Sequence, residues 1–304
     1  MVIKMIFQIA TLDWIIGRNE MPDVINCHDH HTGLIPFMML YCHKYNRLQY
    51  TPSMITIHNG LYQGQFSFDK LYYVPEFDLS HVNVLEWGNC INSLAVAIKC
   101  AWAVTTVSPN YLNEINFSAN GLEALFNMVR YKSKGILNGI DIEVWDPATD
   151  TALEKNYSIK NYEVGKQENK EKCKLFNLDP TKPLFSFIGR LLEEKGGDLL
   201  PHASAVALSE NYQKLNILIL GSGNSMIESQ LSSLLQDYEG NYNAFIGYNE
   251  ELAHLIYAGA DFLLMPSRVE PCGLNQMYSM RYGTIPIVRR TGGLKDTVID
   301  FGDG

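Results

Sequence analysis

Four short runs in this sequence carry residue types whose spacing could do chemistry. The first is His28-Asp29-His30-His31-Thr32-Gly33. Closely spaced imidazoles suit zinc or nickel, and a hydrolase could be built on such a site. The same run could instead be a polar loop in which Asp29 or Thr32 caps the amides of a helix over 32–45. His58 and His81 could complete a metal site but carry no diagnostic spacing. The second run, Phe187-Ile188-Gly189-Arg190-Leu191-Leu192-Glu193-Glu194-Lys195-Gly196-Gly197, sets two cations five residues apart in a loop that closes in Gly-Gly. Arg offers a bidentate fork to phosphate and Lys a point charge, which suits a diphosphate. In the bland alternative, Glu193 and Glu194 simply neutralise the two cations. The third, Leu220-Gly221-Ser222-Gly223-Asn224, is a generic strand, glycine turn and helix start; the dinucleotide pattern would need a third Gly, and position 226 is Met. The fourth is Met265-Pro266-Ser267-Arg268-Val269-Glu270-Pro271-Cys272-Gly273-Leu274-Asn275. There Pro271 suits a helix start, and the amides that follow could hold an anion or sugar hydroxyls beside the Glu270 carboxylate. Glu270 could equally be a helix-start carboxylate with no ligand. Arg289-Arg290-Thr291-Gly292-Gly293-Leu294 repeats the strand, Gly-Gly turn and helix theme.

The elements that must position these runs are short and apolar. Strands are expected over 23–27, 53–58, 103–107, 184–188, 216–220, 244–246, 261–265 and 284–288, alternating with helical segments. Flat apolar strands alternating with helices predict an α/β fold with parallel sheets covered on both faces. Nearly all of these strands end in glycine or polar residues, and open α/β sheets bind ligands beyond the carboxyl ends of their strands. The character changes between 141 and 179, where a turn at Asp146-Pro147 precedes a charged helix over 163–175. This predicts a first domain over 1–155, a linker over 156–182 and a second domain over 183–304, with the two sheets facing each other across a cleft.

Composition narrows the function classes. The 304 residues are 46% hydrophobic and 19% charged, which supports sizeable cores. Lys+Arg is 24 and Asp+Glu is 33, so the net charge of −9 argues against a nucleic-acid partner. No uninterrupted apolar stretch approaches the ~20 residues of a membrane span, so no membrane partner is expected. Six scattered cysteines without a C-x-x-C pair fit a reducing cytosol, and the cytoplasm is the expected location. The apolar start, residues 1–10, reads as an amphipathic helix.

Taken together, the motifs resemble the bacterial glycogen synthase and starch synthase family of retaining glucosyltransferases. The resemblance rests on His28-Asp29-His30-His31-Thr32-Gly33, Thr56-Ile57-His58-Asn59, Thr106-Val107-Ser108-Pro109, Gly135-Ile136-Leu137-Asn138-Gly139-Ile140-Asp141, Gly189-Arg190 with Lys195-Gly196, Glu270-Pro271-Cys272-Gly273-Leu274, and Thr291-Gly292-Gly293-Leu294, in the family's order. It implies a GT-B fold of two Rossmann-like domains. It also implies transfer of glucose from ADP-glucose, or UDP-glucose, to the non-reducing 4-OH of an α-1,4-glucan such as glycogen, with retention and with no metal or other cofactor. By motif, Arg190 and Lys195 are expected to bind the diphosphate and stabilise the leaving group. Glu270 and His31 are expected at the donor glucose, Asn138 close to the same sugar, and the amides of Cys272, Gly273 and Leu274 on its hydroxyls and phosphate. Tyr248 is expected to stack on the base, and Gly189, Asn275, Gly292 and Gly293 complete the donor-binding set.

The sequence also departs from the family pattern. His30 stands where the family carries Trp, and Asn275 where it carries Thr. Position 278 is Tyr, where related retaining transferases carry a second Glu. No Lys-x-Gly-Gly-Leu loop precedes Asp23. A chain truncated at both ends, with an incomplete N-terminal domain, is therefore expected, and one that does not elongate glycogen on its own. A non-catalytic glucan- or nucleotide-binding remnant and a metal-dependent hydrolase using His28, His30 and His31 are the competing expectations.

Overall fold

Apolar runs with no polar face can escape water only if both sides of the sheet are covered. A computed structural model of the chain shows this arrangement; it describes residues 2–18, 21–211 and 213–302. Met1 and Gly304, the outer bounds expected for the two domains, lie outside the described residues, as does the closing Asp303-Gly304.

The chain divides into two units, 1–137 and 138–304. The first runs α1 (Val2–Gly17), β1 (Ile25–His28), α2 (Ile35–Tyr41), β2 (Ser53–Ile57), β3 (Gln65–Phe66), α3 (Val82–Leu85), β4 (Glu86–Trp87), β5 (Cys90–Asn92), α4 (Ser93–Cys100), β6 (Ala103–Thr106), α5 (Pro109–Ile115), α6 (Glu123–Met128) and β7 (Ser133–Gly135). Its main sheet is parallel, in the order β1-β2-β6-β7. The register sets His28 beside Thr56 and Ile57 beside Thr106, so the loops after these strands emerge along one edge. Asn92 and Ser108 start α4 and α5, each side chain accepting an otherwise orphaned backbone amide. The helix expected over 32–45 is shorter: α2 covers Ile35–Tyr41, and a 3-10 stretch, His43–Leu48, follows.

The second unit runs α7 (Tyr162–Lys170), β8 (Leu184–Leu191), α8 (Leu200–Glu210), β9 (Asn216–Gly223), α9 (Ser225–Asp237), β10 (Tyr242–Ile246), α10 (Glu250–Gly259), β11 (Phe262–Met265), α11 (Asn275–Arg281), β12 (Ile285–Val288) and α12 (Gly292–Thr297). Strand side chains alternate faces. In β9, Ile217 and Ile219 enter one core with Leu200 and Leu208 of α8 and Ile227 and Leu231 of α9. Leu218 and Leu220 enter the other with Leu252 and Ile256 of α10. The order β10-β9-β8-β11-β12 is parallel throughout. Chain order reverses between β8 and β11, which makes their carboxyl ends the topological switch point of this sheet.

The segment read as a linker packs into the second unit instead, and the division falls after Leu137 rather than at 156–182. Lys166 Nζ of α7 donates to Ala258 O at 3.0 Å and Thr284 Oγ1 at 2.7 Å, and Lys170 Nζ contacts Asp261 Oδ2 at 2.6 Å. A polar, charged surface on α7 disguised this attachment. Among the described residues, no helix is long and apolar enough to cross a membrane.

Burial pulls the Lys166 amine down from 10.5 to about 8, against a smaller opposing pull from Asp261. Between these two values the unfolded chain binds more protons than the folded one, so stability rises with pH across that window. The difference in unfolding free energy between the wild type and Lys166→Met should therefore shift in favour of the wild type as pH rises from 8 to 10.5 in urea titrations. A difference that stays flat over this range would exclude Lys166 as its source.

Candidate functional site

Two loops that leave the sheet on either side of the switch point build the site. After β8 the chain makes a 3-10 turn, Glu193–Lys195, and then enters a left-handed conformation at Gly196, with φ of 70°. A Cβ at Gly196 would lie 2.5 Å from the carbonyl oxygen of Pro266, so only glycine allows this approach. The second loop follows β11 and is tied to the first by backbone and side chain. Glu194 O accepts from Arg268 N at 2.8 Å and from Val269 N at 3.1 Å. The Arg268 guanidinium grips both oxygens of Asp198, at 2.5 and 2.8 Å, and donates to Glu193 O at 2.6 Å. The same guanidinium holds the Asp198 carboxyl below the usual carboxylate range.

This docking brings Lys195 to Glu270. The ammonium Nζ donates to Oε1 at 2.6 Å, and Ser267 Oγ donates to Oε2 at 2.9 Å. Glu270 is buried at 6% exposure, while the Lys195 side chain keeps 21%. The two cations of the loop thus go separate ways. Arg190 Nη2 pairs with Glu194 Oε1 at 2.5 Å on the exposed side, so the loop's own Glu194 meets one cation and the distant Glu270 the other.

Two cavities share this loop. One, of about 200 Å³, is lined by Arg190, Lys195, Ser267, Glu270, Gly273 and Leu274, among others. The other, of about 360 Å³, is more aromatic and lies against Trp145, Tyr248, Tyr257 and Tyr278. Ile188, Gly189, Arg190 and Asn275 line both. Asn275 also fixes α11 to β8, donating through Nδ2 to Ile188 O at 2.7 Å. Tyr248 is exposed, and its hydroxyl donates to Glu250 Oε2 at 3.1 Å; that carboxylate pushes the phenol up from its usual value. Gly273 is left-handed, with φ of 75°.

Other residues expected to bind stand behind the loop. Gly292 and Gly293 are buried, and Gly293 N donates to Glu270 O at 2.9 Å. A Cβ on Gly292 would overlap that same carbonyl oxygen, and one on Gly293 would overlap the backbone of Cys272. Their place in the structure is to seat the Glu270–Cys272 backbone. The Cys272 thiol is buried and pushed up by burial, with the Asn138 backbone amide pulling the other way, so Asn138 lies against the same loop.

In the first unit, His31 is exposed, its ring lying against that of His30 with centroids 3.9 Å apart and planes tilted by 34°. His30 is buried and takes Lys4 Nζ on Nε2 at 2.7 Å; burial, His31 and Lys4 all pull its imidazole down. His28 Nδ1 meets His58 Nε2 at 2.9 Å. Asp29 Oδ1 accepts His58 N at 2.8 Å, and Thr32 Oγ1 accepts His28 N at 2.6 Å, so these two side chains stitch strand ends rather than cap α2. Among the described residues, no three His, Cys, Asp or Glu side chains gather as a metal site. Strand β1 ends at His28, and the left-handed backbone at Asp29, with φ of 53°, turns His30 away toward a different partner.

Sequence reasoning assigned no part to Ser267, Arg268, Trp145 or Tyr278. Ser267 and Arg268 stand in the quoted run before Glu270, where a polar pair carried no signal of its own. Trp145 lay in the segment read as the end of the first domain.

Comparison with known proteins adds to this geometry. Residues 3–128 match the family model for the starch synthase catalytic domain, and residues 168–304 match that for glycosyl transferases group 1. The chain is 75% identical over 298 residues to the glycogen synthase of Flavobacterium johnsoniae, covering 98% of this chain and 63% of that protein. It is 40% identical to the glycogen synthase of Treponema denticola, covering 93% of this chain and 59% of that protein. The solved catalytic domain of starch synthase IV from Arabidopsis thaliana, bound to ADP and acarbose, superimposes with a TM-score of 0.89 at 34% identity. That match covers 99% of this chain and 63% of the plant chain. This chain therefore spans less than two thirds of the length of these relatives.

Gly292→Ala should destabilise the second unit by about 1–3 kcal/mol, because it adds a clash to a left-handed residue. An earlier urea midpoint would show it. Gly139→Ala, where an added Cβ meets nothing within 4 Å, is the matched control and should leave the midpoint in place. Equal midpoints for the two variants would remove the seating role.

Proposed function

This chain belongs to the glycogen synthase and starch synthase family and has its GT-B fold, and from that premise we propose that the protein transfers glucose from ADP-glucose to the non-reducing 4-OH of an α-1,4-glucan, with retention at the anomeric carbon. The observation that carries the proposal is the Lys195–Glu270 contact, at 2.6 Å, beside a cavity also rimmed by Arg190.

Breaking a sugar–phosphate bond leaves negative charge on the departing nucleoside diphosphate. Cations already held in place can receive that charge without reorganising. In this reading, Arg190 and Lys195 take the diphosphate. Glu270, fixed by Ser267 and Lys195, accepts from donor hydroxyls, and the amides of Gly273 and Leu274 donate to the sugar or its phosphate. Asn138 approaches the same sugar, and Tyr248 stacks on the base in the larger cavity. His31 is assigned to the donor glucose by its motif. Both oxygens of Glu270 hold a donor, Lys195 or Ser267, which makes the carboxylate a poor nucleophile and supports a same-face step in which the departing phosphate takes the acceptor proton. ADP rather than UDP is favoured as the leaving nucleotide by the ADP in the related plant catalytic domain.

Incorporation of labelled glucose into glycogen, with ADP-glucose and UDP-glucose offered separately, tests the proposal. Lys195→Ala should lower turnover by about 10²–10³-fold, the size of losing one charge-stabilising group. A near-wild-type rate in that variant would remove the leaving-group role. ADP binding with no incorporation from either donor would reduce the function to binding alone.

A further inference from the structure

The larger cavity has an aromatic wall, and its construction runs deep into the second unit. Tyr278 of α11 and Trp145 both line the cavity. Their rings stack at 3.8 Å with an interplanar angle of 16°. On its other side, Trp145 stacks on His254 of α10 at 4.0 Å and 9°. The three rings thus form a column that starts in the cavity and ends in the core. At its inner end, His254 Nδ1 meets Asp150 Oδ2 at 2.6 Å, and Tyr282 OH donates to the same oxygen at 2.5 Å. Asp150 and His254 are buried at 7% and 6% exposure, and Tyr282 is fully buried. A carboxylate taken out of water this far needs its hydrogen bonds to stay in place. His254 and Tyr282 thus brace the Asp150 carboxylate at the inner end of the column. Tyr278 itself is only partly buried, so one part of its ring remains available to a ligand.

We propose that Tyr278 is a nucleotide-contacting residue whose ring is presented to the nucleoside part of a nucleoside diphosphate, and that Trp145, His254 and Asp150 are the positioning residues that hold it there. This rests on the donor-nucleotide reading above and goes further by naming a second aromatic contact beside Tyr248 and the buried carboxylate that fixes it. Three features support it. Tyr278, Trp145 and Tyr248 line one cavity, while the cations that suit a diphosphate line its shared rim at Arg190 and continue to Lys195. Aromatic rings facing a cavity recognise nucleobases and sugars by stacking, without hydrogen-bond readout. Burial and the nearby Glu250 and Asp141 carboxylates also push the Tyr278 phenol up, so the ring meets an anionic ligand uncharged.

The test is titration of the full chain with ADP and, separately, with inorganic pyrophosphate, which has charges but no nucleoside. Tyr278→Phe keeps the ring and should bind ADP within about twofold of wild type. Tyr278→Leu should weaken ADP about tenfold or more while leaving pyrophosphate unchanged, since stacking losses of this size are usual for aromatic truncation. Asp150→Asn should weaken ADP in the same selective way. If Asp150→Asn fails to fold, as its melting curve would report, Tyr278→Leu decides alone, because that side chain is only partly buried. Wild-type ADP affinity in folded Tyr278→Leu would overturn the inference and leave the donor-nucleotide reading intact. Equal losses for ADP and pyrophosphate would also overturn it, since they would mark a general structural effect. A wild-type chain that does not bind ADP would overturn the donor-nucleotide reading itself and this inference with it.

Discussion

The contact between Lys195 and Glu270 is the constraint on which the rest of the second unit's site depends. These residues are 75 apart in sequence and meet at 2.6 Å. An ammonium and a carboxylate at this range attract strongly wherever water is partly excluded, yet each loses hydration to get there. The loss is tolerable only if both loops are already in place. The two amides of Arg268 and Val269 on Glu194 O, the guanidinium on Asp198 and the glycine at 196 under Pro266 supply that placement. They are mostly rim interactions, each individually weak because solvent reaches them. Their value is geometric: they fix which carboxylate Lys195 can reach. In a chain with a net charge of −9, they also leave a cation facing a cavity instead of lost on the surface.

The strand order explains why two loops so distant in sequence can do this. In the order β10-β9-β8-β11-β12, β8 and β11 are neighbours although two strands and three helices separate them along the chain. Helices α8 and α9 cover one face and α10 the other, so the loops after β8 and β11 diverge and leave a crevice between them. Gly292 and Gly293, after β12, then close the back of the second loop.

Much of this was legible because backbone punctuation reflects local physics. Gly189-Arg190, Lys195-Gly196 and Glu270-Pro271 mark places where a strand must stop and the chain turn tightly, and all three flank the crevice. The apolar runs of β9 and β11 were legible because a strand buried on both faces has few polar positions to confuse the pattern, and in β8 the polar interruption, Ser186, is small and buried. Strand β7, Ser-Lys-Gly, and the two- and three-residue strands β3, β4 and β5 were not, since each is too short or too polar to carry a period. The attachment of 138–182 was hidden for a related reason. Its anchors are single side chains (Trp145, Asp150, Lys166) spaced along otherwise polar sequence, and their partners lie about a hundred residues later. A long-range partnership leaves no local signature. Arg268 shows the same limit: read locally it is one more surface cation, and only the fold reveals that Asp198 waits for it.

The two cavities differ in character, and the difference bears on what could occupy them together. The smaller is bounded by a buried carboxylate with both oxygens already hydrogen-bonded, so it favours a ligand rich in hydroxyl donors over an anion. The larger is bounded by four aromatic rings, which favour a flat, weakly polar group. Arg190 lies on the boundary of both, and it is the natural place for negative charge. A molecule with a polyol at one end, a planar ring system at the other and an anionic bridge between them matches this order of environments. A free sugar would leave the aromatic wall without a ligand and Arg190 with Glu194 in place of an anion, and a bare nucleotide would leave Glu270 with Lys195 and Ser267 but no ligand hydroxyl. An activated sugar is the ligand class that engages all three regions at once, which is why the donor reading is preferred to a glucan-only or nucleotide-only binding site.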